Sequence, residues 1–144
     1  MKHAFFPTLA VLLLSAHLFA AENQYVKCTI AVKPKVLKRG AQGTLVVTLL
    51  PKSGIHINLT PSPVVTLDSM AGIAAAGQPA IPKMSGKPYL NPSKPITQPF
   101  RLGVSAKGDT ANIRGTLTYF YCSDSEGWCS RYKQPIDLKV AIGR

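Results

Sequence analysis

Residues 113–142 read IRGTLTYFYCSDSEGWCSRYKQPIDLKVAI. The first part of this stretch is rich in β-branched and aromatic residues, and the last part alternates apolar with polar residues. Alternation with a period of two is typical of a strand that buries one face. A polar segment that contains a glycine separates the two parts. The stretch therefore predicts a β-hairpin, with Cys122 and Cys129 on either side of its turn.

Strand signals recur in the rest of the chain. Apolar residues alternate with polar ones over 26–32 and 55–60, and short β-branched or apolar runs occupy 44–50, 64–67 and 100–104. Prolines and glycines punctuate these runs, and no sustained helical period follows residue 21. About seven short strands with this spacing predict an all-β fold, an antiparallel β-sandwich.

The connection between Ser69 and Pro99 breaks the alternating pattern. Alanine and glycine dominate its first half, and prolines follow one another closely in its second half. Irregular connections of this length are uncommon within compact domains and often carry function. We therefore expect a lid or binding loop, in which Tyr89 is the only aromatic residue.

The N-terminal residues have the composition of a secretory signal peptide. Lys2 precedes an apolar run at 9–14, and small residues lie at Ala20 and Ala21. The apolar run is shorter than the roughly 20 residues that span a bilayer. We expect residues 1–20 to be a signal peptide that is cleaved near Ala20, and 21–144 to form one exported domain with no membrane span.

The chain is strongly basic, with 17 Lys and Arg against 6 Asp and Glu and a net charge of +11. Such a surface favours anionic partners. The lysines are scattered and no recognition-helix pattern is present, so we do not expect a nucleic-acid partner. His3 and His17 belong to the signal peptide, which leaves His56 as a surface or turn histidine; we expect no metal and no cofactor.

The three cysteines leave several pairings open. Cys28 lies in register with the apolar residues of its strand, which predicts a buried and inert thiol. The alternatives are a structural bridge from Cys28 to either other cysteine and an exposed thiol for intermolecular pairing. In an exported protein, Cys122 and Cys129 are expected to be oxidised. Their bridge is either a structural disulfide or a dithiol that cycles, and the sequence chemistry alone does not decide between them.

Several side chains near the hairpin turn bear on this choice. Asp124 and Glu126 are expected to raise the pKa of nearby thiols and to slow attack by the thiolates. Trp128, with Tyr121 and Tyr132, flanks the cysteines, and we expect these rings to offer a place for a partner to dock.

Parts of the chain resemble a known family. The stretch 115–124, GTLTYFYCSD, with Cys129 and the alternating final strand, is similar to the C-terminal part of the periplasmic N-terminal domain of the DsbD thiol:disulfide interchange family. The stretch 38–48, KRGAQGTLVVT, and the glycine-x-histidine turn in 54–59, GIHINL, resemble the opening strands of the same family. Together these motifs extend over most of the chain after residue 20.

The resemblance implies an immunoglobulin-like sandwich in the periplasm, with Cys122 and Cys129 as its redox pair. This pair would take electrons from a membrane-embedded dithiol, here on a separate partner. It would pass them to oxidised periplasmic proteins of the thioredoxin-like or isomerase kind, a relay linked to cytochrome c biogenesis. The family covers its disulfide with an aromatic-bearing cap loop, which corresponds by position to the segment around Tyr89.

A second hypothesis comes from a different functional class. A secreted β-sandwich that binds a protein or envelope component would use the disulfide only to stabilise its fold. Its basic surface would then be the interaction face.

Overall fold

The computed structural model describes residues 22–69 and 72–144, and in this part of the chain the fold is all-β. Its strands are β1 Val26–Lys33, β2 Val36–Lys38, β3 Gln42–Pro51, β4 Ile55–Ile57, β5 Val64–Leu67, β6 Ile73–Ala75, β7 Ile96–Leu102, β8 Thr110–Ser123 and β9 Trp128–Gly143. The predicted all-β sandwich is confirmed. It contains more strands than the seven or so that the alternation suggested.

The strands form two sheets. One has the order β1-β3-β7-β6 and is antiparallel throughout. The other has the order β2-β9-β8-β4, with β5 also paired to β8, and it is antiparallel except for the short β2–β9 pair. Alternate side chains from both sheets fill the space between them, because successive residues of a strand face opposite sides. Leu45, Phe100, Leu117 and Tyr119 are among the fully buried residues of this core.

The β8–β9 hairpin is the longest pairing of the molecule and carries both cysteines of the turn. Its register places Thr110 opposite Ala141 at one end and Ser123 opposite Trp128 at the other. Near its middle, β5 approaches so closely that a Cβ on Gly115 would lie 2.1 Å from the carbonyl oxygen of Thr66. Only glycine therefore fits there without a shift of the backbone.

The connection between Ser69 and Pro99 is more regular than its composition predicted. It contains the edge strand β6, and β7 begins at Ile96, four residues before the run that the sequence indicated. Isolated bridges join Ala80 to Thr97 and Lys83 to Leu90. Prolines hid this order, since they lack an N–H donor but still accept hydrogen bonds: the carbonyl of Pro99 accepts one from Ala76.

The proposed signal peptide, residues 1–20, lies outside the described residues. Within the described ranges, no helix has the length and apolar character that a bilayer crossing requires.

Candidate functional site

The disulfide lies at the tip of the β8–β9 hairpin. Cys122 and Cys129 occupy directly opposed positions, with a Cα–Cα distance of 4.1 Å, and their sulfurs are bonded. The prediction that these two cysteines pair is confirmed. The alternative pairing through Cys28 is wrong, because Cys28 is a free thiol on β1.

The two cysteines differ sharply in exposure. Cys129 is exposed, whereas only 5% of Cys122 is accessible. The burial of Cys122 does not come from the core, since its neighbours Tyr119 and Tyr121 alternate with Phe120 and face the interior. Cys122 is on the outer face of the sheet, and other parts of the chain cover it there.

The residues that contact Cys122 from this side are His56 of β4 and Asn58 just after it, and the segment 82–90 pairs with them. The backbone N–H of Leu59 donates to the carbonyl of Pro88, and that of Leu90 donates to Ile57. Asn58 forms an isolated antiparallel bridge with Tyr89. This segment, called the cap below, therefore continues the β8–β4 sheet by short contacts and places Tyr89 beside Asn58 and His56, the two residues next to Cys122.

Asn58 contacts the buried sulfur directly. Its side-chain Nδ2 donates a hydrogen bond to Cys122 Sγ over 3.0 Å. The sequence analysis did not single out this residue. The signal was nevertheless present, because the alternation in 54–59 places Asn58 on the same face as His56, the face opposite Ile57.

His56 links the cap to the hairpin turn. It is the residue directly opposite Cys122 across the β4–β8 pair. Its imidazole stacks on the Tyr89 ring, with centroids 3.9 Å apart, and its Nδ1 lies 3.4 Å from Asp124 Oδ2. The expectation of a surface histidine is wrong, since only 15% of the side chain is exposed. His56 faces away from the core as predicted, but the cap covers that face.

Glu126, the second acidic residue of the turn, and the nearby aromatic rings form a group that is separate from the disulfide. Glu126 accepts a hydrogen bond from the indole N–H of Trp128. Trp128 packs against Tyr25 and Tyr121, with ring centroids 5.0 and 5.7 Å away, and Tyr132 packs against Tyr119. The expected docking place beside the disulfide is therefore not formed by these rings. They lie on the inner face of the sheet and the disulfide on the outer one, because neighbouring residues of a strand alternate.

Cys28 is the third thiol and lies away from this site. It is half-buried and packs against the core, as its register with Val26 and Val32 predicted. Burial disfavours the thiolate and raises the pKa of Cys28 to about 11. The prediction of a thiol of low reactivity therefore gains a physical cause.

The raised pKa of Cys28 predicts a distinctive pH profile. In a variant with both Cys122→Ser and Cys129→Ser, the alkylation rate of Cys28 should still be rising at pH 10, since thiolate forms only as the pH approaches about 11. Iodoacetamide kinetics followed by intact mass would measure this profile, with an unstructured peptide around Cys28 as the control. A plateau at the same pH in protein and peptide would contradict the prediction.

No cluster of three or more histidine, cysteine or acidic residues that could hold a metal ion occurs among residues 22–69 and 72–144. The described part of the site is thus a disulfide with polar and aromatic neighbours.

No protein-family model matches the chain, and no curated protein matches it. Among solved structures, the chain is similar to the GAE domain of yeast GGA1, in a crystal structure described as GAE domain-P21. The identity is 15%, the alignment covers 82% of this chain and 94% of that chain, and the TM-score is 0.44.

Proposed function

We propose that this protein is a periplasmic thiol:disulfide exchange domain that relays reducing equivalents through Cys122 and Cys129. Electrons would enter from a membrane-embedded dithiol partner and leave to oxidised periplasmic proteins of the thioredoxin-like or isomerase kind. The proposal rests on the family resemblance of the hairpin and the opening strands. It also rests on the geometry of the disulfide.

The observation that carries the proposal is the asymmetry of the disulfide. One cysteine, Cys129, is exposed, and the other, Cys122, is buried and accepts a hydrogen bond from Asn58 on its sulfur. An exchange reaction needs these two different roles, an attacked sulfur and a leaving sulfur. A disulfide that only joins two strands needs neither a donor on one sulfur nor a cap.

Reduction of the domain would begin at Cys129. A partner thiolate attacks Cys129 Sγ, a new bond forms between them, and the Cys122–Cys129 bond breaks. Cys122 leaves as a thiolate, which accepts the Asn58 hydrogen bond that is already in place. The partner's second thiolate then attacks its own bridged sulfur and releases Cys129, so that the partner becomes a disulfide and this domain a dithiol.

Delivery of the electrons would reverse these steps. The Cys129 thiolate attacks the disulfide of an acceptor and forms a mixed disulfide, while the acceptor's other sulfur leaves as a thiolate. Cys122 then attacks Cys129 Sγ and releases the acceptor as a dithiol. The two electrons pass to the acceptor, its two thiolates take up protons from water, and the Cys122–Cys129 disulfide re-forms.

The binding-module hypothesis predicts that the Cys122–Cys129 bond is purely structural. The disulfide closes a ring of about eight residues, and the loop-entropy estimate for such a ring is about 2.5 kcal/mol of stabilisation. If the bond serves only this purpose, it should resist reduction by cellular thiols, and ligand binding should not depend on the thiol state.

The reduction potential separates the two hypotheses. Equilibration of the protein in glutathione buffers, followed by thiol alkylation and peptide mass spectrometry, would give the potential of the Cys122–Cys129 pair. Exchange predicts a value between about −180 and −270 mV, and a structural bond predicts one below about −300 mV. A value in the lower range would reject the relay.

The contact of Asn58 with Cys122 Sγ predicts slower reduction when the donor is lost. Hydrogen bonds to charged groups contribute about 1.5–3 kcal/mol, and part of this stabilisation is already present in the transition state, where Cys122 Sγ becomes a thiolate. We therefore expect the disulfide of Asn58→Ala to be reduced about fivefold more slowly. Asn58→Asp should be slower still, because it places a carboxylate beside the emerging thiolate. Reduction by dithiothreitol, followed by quenched alkylation, measures the rate. Asn112→Ala, far along β8, is the control, and equal rates in all variants would refute the role of Asn58.

A further inference from the structure

The outer face of the β8–β9 hairpin carries positive charge directly beside the exposed cysteine. Along β9, Cys129, Arg131 and Lys133 are all exposed and alternate with half-buried residues. Residues two apart on a strand share a face and lie about 6.7 Å apart. The two cations therefore follow Cys129 in a line, and we call them the cationic stripe.

Apolar side chains lie next to this stripe. Phe120 is directly opposite Arg131, and Thr118 is opposite Lys133 on the neighbouring strand. Val64 on β5 pairs with Thr118 and is 54% exposed. Directly opposed residues lie on the same face. The surface beside Cys129 thus combines two cations with apolar area.

Neither cation of the stripe has an acidic partner within the described ranges. The ion pairs there join His56 to Asp124 and Arg114 to Asp137. The hairpin turn has the opposite charge, since Asp124 and Glu126 lie just before β9. Charge therefore changes sign across the disulfide, from acidic at the turn to basic along the strand.

We infer that the cationic stripe is the docking surface for a partner whose reacting cysteine is bordered by carboxylates. The inference rests on the proposed function, because it assumes that Cys129 is the sulfur that reacts. An acidic segment would run along β9, where it meets Arg131 and Lys133, and away from the acidic turn. Arg131 is two residues from Cys129, a spacing that is shorter than the Debye length of about 8 Å at physiological salt. Its charge therefore still acts on a group bonded to Cys129.

The test uses the reduced protein with Cys28→Ala and three peptides of equal length. Each peptide carries one cysteine as a neutral 2-pyridyl disulfide, flanked by aspartate, glutamine or lysine. The Cys129 thiolate attacks the peptide cysteine sulfur, and pyridine-2-thione leaves. Cys122 then displaces the peptide as a free thiol and the intramolecular disulfide re-forms. Release of the thione gives the rate.

We expect the aspartate peptide to react about fivefold faster than the lysine peptide at low salt, with the difference vanishing at high salt. In the double variant Arg131→Glu and Lys133→Glu, the lysine peptide should react faster than the aspartate peptide. The control pair Lys38→Glu and Lys139→Glu has the same net charge but lies at the far end of the sheet, and it should keep the order of the parent protein. Equal rates for all peptides, or an inversion by the control pair, would overturn the inference.

A neutral reagent separates this inference from the proposed function. If 2,2′-dipyridyl disulfide oxidises the dithiol while the charged peptides react equally, exchange stands and the stripe is not a docking surface. If that reagent fails to form the Cys122–Cys129 bond, both the exchange function and the docking surface are refuted.

Discussion

We expect Cys122→Ser to form mixed disulfides through Cys129, and Cys129→Ser to react through Cys122 about a hundredfold more slowly. A covered thiol reacts only after local opening, which costs about 2–3 kcal/mol. The structure gives the reason for this difference. Cys129 is exposed, and Cys122 is 5% accessible and hydrogen-bonded by Asn58. In Cys122→Ser, the bond from Cys129 to a partner also persists, because no second thiol remains to displace the partner.

Glutathione disulfide is a defined probe for this prediction. Both variants carry Cys28→Ala, so that each has one thiol, and intact mass gives the rate at which glutathione is added. Cys28→Ala with both other cysteines present is the control and should accumulate no glutathione adduct, because the intramolecular bond re-forms. Equal rates for the two single-thiol variants, or faster addition at Cys122, would contradict the assignment of Cys129 as the attacked sulfur.

Local patterning was enough to predict the hairpin and to place Cys122 and Cys129 on either side of its turn, although it left the pairing of the three cysteines open. The alternation in residues 113–142 determines which residues face the core, and a hairpin with a short polar turn brings residues on its two sides together. The same alternation contained a signal that the composition obscured. Trp128 and Cys129 are adjacent in one strand, so they face opposite sides, and the indole packs on Tyr25 in the interior.

The cover over Cys122 could not be predicted in the same way. It depends on the bridge between Asn58 and Tyr89, which are far apart in the sequence. The segment around Tyr89 has no alternating pattern, and its prolines conceal the few backbone hydrogen bonds that attach it to β4. Position in the family resemblance suggested Tyr89 as part of a cap, but only the structure shows that its ring stacks on His56, the residue opposite Cys122 in the register of β4 on β8.

Tyr89→Ala should make Cys122 about tenfold more reactive, since an aromatic stack contributes about 0.5–1.5 kcal/mol and a change of 1.4 kcal/mol is a factor of ten. The effect arises through His56. Loss of the stack on His56, whose centroid is 3.9 Å from that of Tyr89, favours opening of the cap beside Cys122. Alkylation by iodoacetamide of the protein with Cys28→Ala and Cys129→Ser reports on Cys122 alone.

Tyr89→Phe distinguishes the ring from its hydroxyl. It keeps the stacked face and should protect Cys122 as well as tyrosine does. Met84→Ala, in the same segment, is a control for general loosening of the cap, because the Met84 backbone N–H donates to the carbonyl of Tyr89 and the substitution keeps that bond. If Tyr89→Ala leaves the alkylation rate unchanged, the ring does not shield the sulfur. If Met84→Ala raises the rate as much, the shielding belongs to the whole segment and not to the stack. Protection that depends on the ring would mean that a partner must displace Tyr89 to reach Cys122, while Cys129 stays open to attack.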